Sequence, residues 1–212
     1  MTENPDWSPQ ALFKVGFFVE LGLVLLAAVV GLIFERSPYP FVLRLEPIAL
    51  AWSLPATVPA ILTAILLTSS LGRKVRPFQR IYEHVKAILD KPLRGLGIME
   101  LTLLAAAAGI GEEVFFRGVL QTIAGIELAS VIFGLLHALT PTYFLLATLM
   151  GFYLGWLYDA TGNLLVPIVV HWLYDTLALW LLRREFEKEQ GEPSEPSGGG
   201  GEGPQGLDRD AG

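Results

Sequence analysis

Six ionisable side chains stand where the surrounding sequence is apolar: Glu112, Glu113, Arg117, His137, His171 and Asp175. An ionised side chain at the centre of a membrane helix costs about 2.5–3.5 kcal/mol on insertion scales. Partners must offset that cost, and function is the usual reason to keep such a set. Spacing says who can partner whom. Glu113 and Arg117 are four residues apart, so on a helix they share one face and can pair. Glu112 is one residue earlier, about 100° around the same helix, and points elsewhere. One carboxylate is therefore free for chemistry while its neighbour anchors the arginine. His171 and Asp175 also share a helical face, so Asp175 can orient His171 or both can face a third group. His137 stands alone in its apolar stretch. His84, the third histidine, lies in a basic loop and is read as solvated.

These residues need apolar helices to hold them. The chain has 212 residues, of which 52% are hydrophobic and only 17% charged. A soluble domain has about a quarter charged. Apolar runs of the length that crosses a bilayer fall at about 11–34 and 48–71. From 96 onward four further helices are expected, at about 96–123, 127–139, 143–158 and 164–182, with breaks at Gly125, Thr140-Pro141 and Thr161-Gly162-Asn163, all turn formers. Glu20, Glu100, Glu127 and Asp159 are placed at or near helix ends and given no chemistry. The expected fold is all-α: a polytopic membrane bundle of about six transmembrane helices with an interfacial amphipathic helix.

Charge sets the orientation. The 72–94 stretch carries seven basic residues, Arg73, Lys74, Arg76, Arg80, Lys86, Lys91 and Arg94, and the first loop only Arg36 and Arg44. Putting the seven-charge loop in the cytoplasm puts both termini there for an even number of spans. The basic stretch lies along anionic headgroups or is a solvated loop. Net charge is −6, with eight acidic and two basic residues from Glu185 onward. The acidity thus belongs to the tail, and a nucleic-acid partner is not expected. The expected organisation is 1–95, two spans plus the basic loop; 96–184, a catalytic helix bundle; and 185–212, a disordered acidic Gly/Pro-rich tail.

The residues also match a known pattern. GEEVFFRG (111–118) resembles the Glu-Glu-x-x-x-Arg motif of the CPBP intramembrane proteases, the CAAX-protease and bacteriocin-processing (Abi) family. FGLLH (133–137) is similar to its Phe-x-x-x-His motif. GNLLVPIVVHWLYD (162–175) is similar to its last motif, His-x-x-x-Asn or Asp. The three occur in the family's order on apolar helices. The resemblance implies an α-helical intramembrane endopeptidase acting on a membrane-associated peptide or protein, lipidated or not. It implies Glu112 as the base that activates water, His137 as a second holder of that water, and His171 with Asp175 as the oxyanion stabilisers. Glu113 and Arg117 are the supporting pair.

The chemistry is coherent on its own terms. Amide hydrolysis needs a nucleophile, a proton shuttle and an oxyanion stabiliser. The chain has no cysteine, which excludes thiolate nucleophiles and thiolate metal sites. A Glu-activated water is the natural route. A zinc route stays open beside it, with Glu112, His137 and His171 as a His₂Glu set that leaves one position for water. The sequence departs from the prenyl-processing members at Asp175, where they usually have Asn. Two other function classes use the same residues: a proton-coupled transporter, through an intramembrane relay, and a non-catalytic scaffold that binds a partner helix. The expected location is a prokaryotic cell membrane.

Overall fold

The computed structural model describes residues 7–34 and 46–191. Among them there are helices and no strand. Helix α1 (Pro9–Ile33) starts at Ser8, whose Oγ accepts from the Ala11 N–H at 3.1 Å, with proline in its first turn. Helix α2 spans Pro47–Thr68 and a short 3₁₀ turn, Gly72–Lys74, leads into α3 (Arg76–Arg94). Helix α4 (Ile98–Glu113) continues through a π-helical stretch, Val114–Leu120, into α5 (Gln121–Leu136). Helices α6 (Pro141–Thr161) and α7 (Leu165–Gly191) complete the order.

The breaks fall at the turn formers. Gly125 sits at φ +83° and bends α5 near its start. Thr140 caps α6 by accepting from the Tyr143 N–H at 3.0 Å. Gly162 ends α6 at φ +58°, a left-handed conformation that costs glycine little.

Four stretches are long and apolar enough to cross a membrane: Pro9–Ile33, Ala51–Thr68, Ile98–Leu136 and Leu165–Gly191. They mark an integral membrane protein. The expected count of about six is four on this measure, for two reasons. The Ile98–Leu136 run is continuous in composition although Gly125 bends it into two segments. Helix α6 is 21 residues long, but Tyr143, Thr148, Tyr153, Tyr158 and Asp159 dilute its apolar character.

Helix α7 is the hub, packing against α2, α3, α4 and α6, while α1 covers α4 and the π stretch and α5 pairs with α6. Small residues set the close approaches. A Cβ on Gly109 would lie 3.1 Å from Ile168 O and Trp172 N of α7. A Cβ on Gly151 of α6 would lie 3.0 Å from the Ser130 Cα of α5. Most large apolar side chains of α1, such as Phe18, Leu25 and Leu32, face outward, as a lipid-facing helix requires.

Helix α3 is amphipathic. It buries Ile81, Tyr82 and Leu93, and Tyr82 and Leu93 pack with Phe186 of α7. The C-terminal end of α7 holds it there. Arg73 pairs with Glu185 at 3.2 Å, Lys86 pairs with Glu189, and the Tyr82 hydroxyl donates to Glu189 at 2.8 Å. Part of the basic charge of α3 is thus met within the protein. The boundary at 185 shifts accordingly: 185–191 is helix, and its acids join the fold. The rest of the expected disordered tail, 192–212, lies outside the described residues.

Candidate active site

Glu112 and Glu113 end α4, Arg117 lies in the π stretch, His137 caps α5, and His171 and Asp175 lie on α7. The fold brings all six together. As the helical spacing requires, the two glutamates diverge. Glu113 is sealed from the surface and accepts from Arg117 Nη1 at 2.9 Å. Arg117 Nη2 donates to the Gly151 carbonyl of α6 at 3.1 Å, and the guanidinium stands 4.7 Å from the Phe133 ring centre. Glu112 turns the other way, with its Oε1 3.5 Å from His137 Nε2 and its Oε2 3.7 Å from His171 Nε2. Both separations exceed a direct hydrogen bond.

The outer nitrogens fix both rings. His137 Nδ1 donates to the Phe133 carbonyl at 2.8 Å, and the ring stacks on Phe133 at 4.4 Å. His171 Nδ1 donates to Glu113 Oε1 at 2.7 Å. A carbonyl or a carboxylate only accepts, so each Nδ1 carries a proton and each Nε2 faces Glu112. The spacing argument left two roles for Asp175, to orient His171 or to face a third group with it. The structure gives the orienting contact on Nδ1 to Glu113, 58 residues away in sequence. Asp175 Oδ2 instead lies 3.4 Å from His171 Nε2, on the side of Glu112.

Glu112, His137, His171 and Asp175 line a cavity of about 110 Å³ together with Phe133, Tyr143, Met150 and Tyr174. That is room for several waters. A second, more apolar cavity of about 230 Å³ adjoins it, sharing Leu67, Tyr143, Tyr174 and Asp175, with walls from α2, α3 and α7. The tyrosines were not singled out from sequence, and their apolar surroundings carry no local signal for them. Glu20 was placed near a helix end, yet α1 starts at Pro9, so Glu20 lies well inside it. An acid within the 11–34 apolar run was the signal available.

The zinc reading needs three ligands converging on one point. Among the described residues no group of three or more His, Asp or Glu side chains has that disposition. His171 Nε2, one of the three candidate ligands, is shared between Glu112 and Asp175.

Residues 94–177 match a family model described as Rce1-like, type II CAAX prenyl endopeptidase. This segment resembles that family. It holds all six residues above and begins at the end of α3. A relative, protein YpbD of Bacillus subtilis (strain 168), described as uncharacterized, is 43% identical over 91 residues. That match covers 42% of this chain and 47% of the relative, so about half of the relative's length. No solved structure matches the chain. Helices α1 and α2 lie outside the matched segment.

Proposed function

We propose that the chain is an intramembrane endopeptidase of the CAAX-protease type that hydrolyses a peptide bond of a membrane-associated protein or peptide with a water activated by Glu112. The observation that carries the reading is the divergence of the two glutamates: Glu113 is spent on Arg117 and His171, while Glu112 faces two histidine Nε2 atoms across a cavity. The cavity that Glu112, His137 and His171 line has room for a water within reach of all three. In this mechanism Glu112 takes a proton from the water, which His137 holds through Nε2. The water oxygen bonds to the scissile carbonyl carbon. His171 and Asp175 face the developing oxyanion. The C–N bond then breaks, and Glu112 returns the proton to the leaving amine. The adjoining apolar cavity suits a substrate with an apolar group beside the scissile bond, lipidated or not.

In this reading 96–184 is the catalytic bundle, and α1 to α3 complete its walls. The basic charge of the 72–94 stretch supports a cytoplasmic side for that loop and for both termini, in what this reading takes as a prokaryotic cell membrane. The test compares membrane proteomes of a null strain and a Glu112→Ala strain. A shared uncleaved substrate supports the peptidase. Full function of Glu112→Ala at normal expression sinks it and favours a scaffold.

Asp175 gives a finer prediction. An oxyanion needs a donor, which an ionised aspartate lacks and an asparagine always has. Asp175→Asn keeps cleavage near the wild-type rate, whereas Asp175→Ala loses most of it. Full turnover by both variants would leave Asp175 a structural residue only.

A further inference from the structure

Glu20 is a half-buried acid that the mechanism above does not use. It lies in the most apolar span of the chain, where a carboxylate is costly. Its backbone O and its Oε2 both press on Gly111: a Cβ there would lie 2.7 Å from each. Gly111 is the residue before Glu112, so a glycine at that point is what lets the α1 acid reach the end of α4. On its other side Glu20 borders an apolar groove formed by Phe17, Leu21, Val24, Ala107 and Ile110. No polar partner is offered there. The ionisable groups whose charges act on Glu20 are Glu112 of α4, His171 and Asp175 of α7, and His137 at the end of α5. Two carboxylate oxygens in this neighbourhood, Glu20 Oε2 and Glu112 Oε2, are sealed from the surface and have no hydrogen-bond partner among the described residues. Buried oxygens are rarely left so. One proton placed between two such groups satisfies both.

We propose that Glu20 is a positioning residue of the active site, which donates a hydrogen bond from its protonated carboxyl, directly or through one water, to the Glu112 carboxylate and so holds that base toward the cavity. This rests on the peptidase reading for its catalytic consequence. It makes α1, outside the matched segment, part of the working site. No proton is gained or lost overall, since Glu20 keeps its proton while Glu112 cycles.

The test uses the full chain in lipid vesicles with a membrane-anchored peptide substrate. Glu20→Leu suits the apolar character of α1 and should insert and fold normally. It lowers kcat about 10- to 100-fold, the size of a hydrogen bond to a charged group, with KM within about twofold. Glu20→Gln keeps a donor in place and retains kcat within about threefold. Wild-type kcat in Glu20→Leu overturns the proposal, and so does a Glu20→Gln variant as slow as Glu20→Leu. Infrared spectroscopy supplies a readout that needs no turnover. A band from a buried protonated carboxyl is expected in the wild type, lost in Glu20→Gln and shifted in Glu112→Gln. A missing band, or one indifferent to Glu112→Gln, overturns the contact. Failure of the wild type to cleave anything overturns the peptidase reading instead, and the band then decides the Glu20–Glu112 contact by itself.

Discussion

Glu112→Gln lowers kcat for peptide cleavage by about 10²–10⁴-fold, the usual contribution of a general base, and leaves KM within about twofold. The change is close to isosteric, so it removes basicity without opening a cavity. The rings opposite stay in place, because each is anchored through Nδ1 to a group other than Glu112. Neither Glu112 oxygen makes a close bond to them, so the fold has little to lose. Unfolding in detergent micelles should therefore be unchanged while turnover falls. Glu113→Gln is the control with the opposite signature, because Glu113 is the acceptor for both Arg117 and His171. It weakens the fold first. A well-folded Glu112→Gln enzyme with more than about a tenth of wild-type kcat would place the base elsewhere.

That contrast was legible from spacing alone, because adjacent helical residues point about 100° apart. The breaks at Gly125, Thr140-Pro141 and Gly162 were legible too, since each is a residue type with a local conformational reason to stop a helix. Three features were not. The π stretch from Val114 to Leu120 has no residue signature. Such stretches are frequent beside functional sites. The partner of His171 Nδ1 is remote in sequence, so an i,i+4 rule could offer only Asp175 as an orienter, or an unnamed third group, and could not name Glu113. The acids at the end of α7 read as the start of a tail because their partners, Arg73, Lys86 and Tyr82, lie over a hundred residues away. Glu20 belongs to the same class. Its role depends on α1 lying against Gly111, and no local pattern encodes that contact. In each case the sequence shows which groups need a partner, and only the fold shows which partner they find.

Arg117→Met destabilises the protein by about 3–5 kcal/mol, the cost of breaking a buried pair from one side. Arg117 is 1% exposed and Glu113 0%, so neither charge has water to fall back on. Methionine fills much of the space but takes away the 2.9 Å bond to Glu113, the 3.1 Å bond to the Gly151 carbonyl and the stacking on Phe133. Glu113 Oε2 is already without a hydrogen-bond partner among the described residues, so the carboxylate would keep only His171. Removing both charges changes the balance, because an apolar pair of similar volume is often neutral or stabilising by about 1–4 kcal/mol. The double variant Glu113→Leu/Arg117→Met should therefore regain most of the lost stability in the same unfolding measurement. It should not regain activity, because His171 Nδ1 has lost its acceptor and the ring is no longer held toward Glu112. Recovery of both would show that the pair serves the fold alone. Recovery of stability without turnover ties it to the orientation of His171. A single Arg117→Met variant as stable as the wild type would show that the pair does not hold the bundle together.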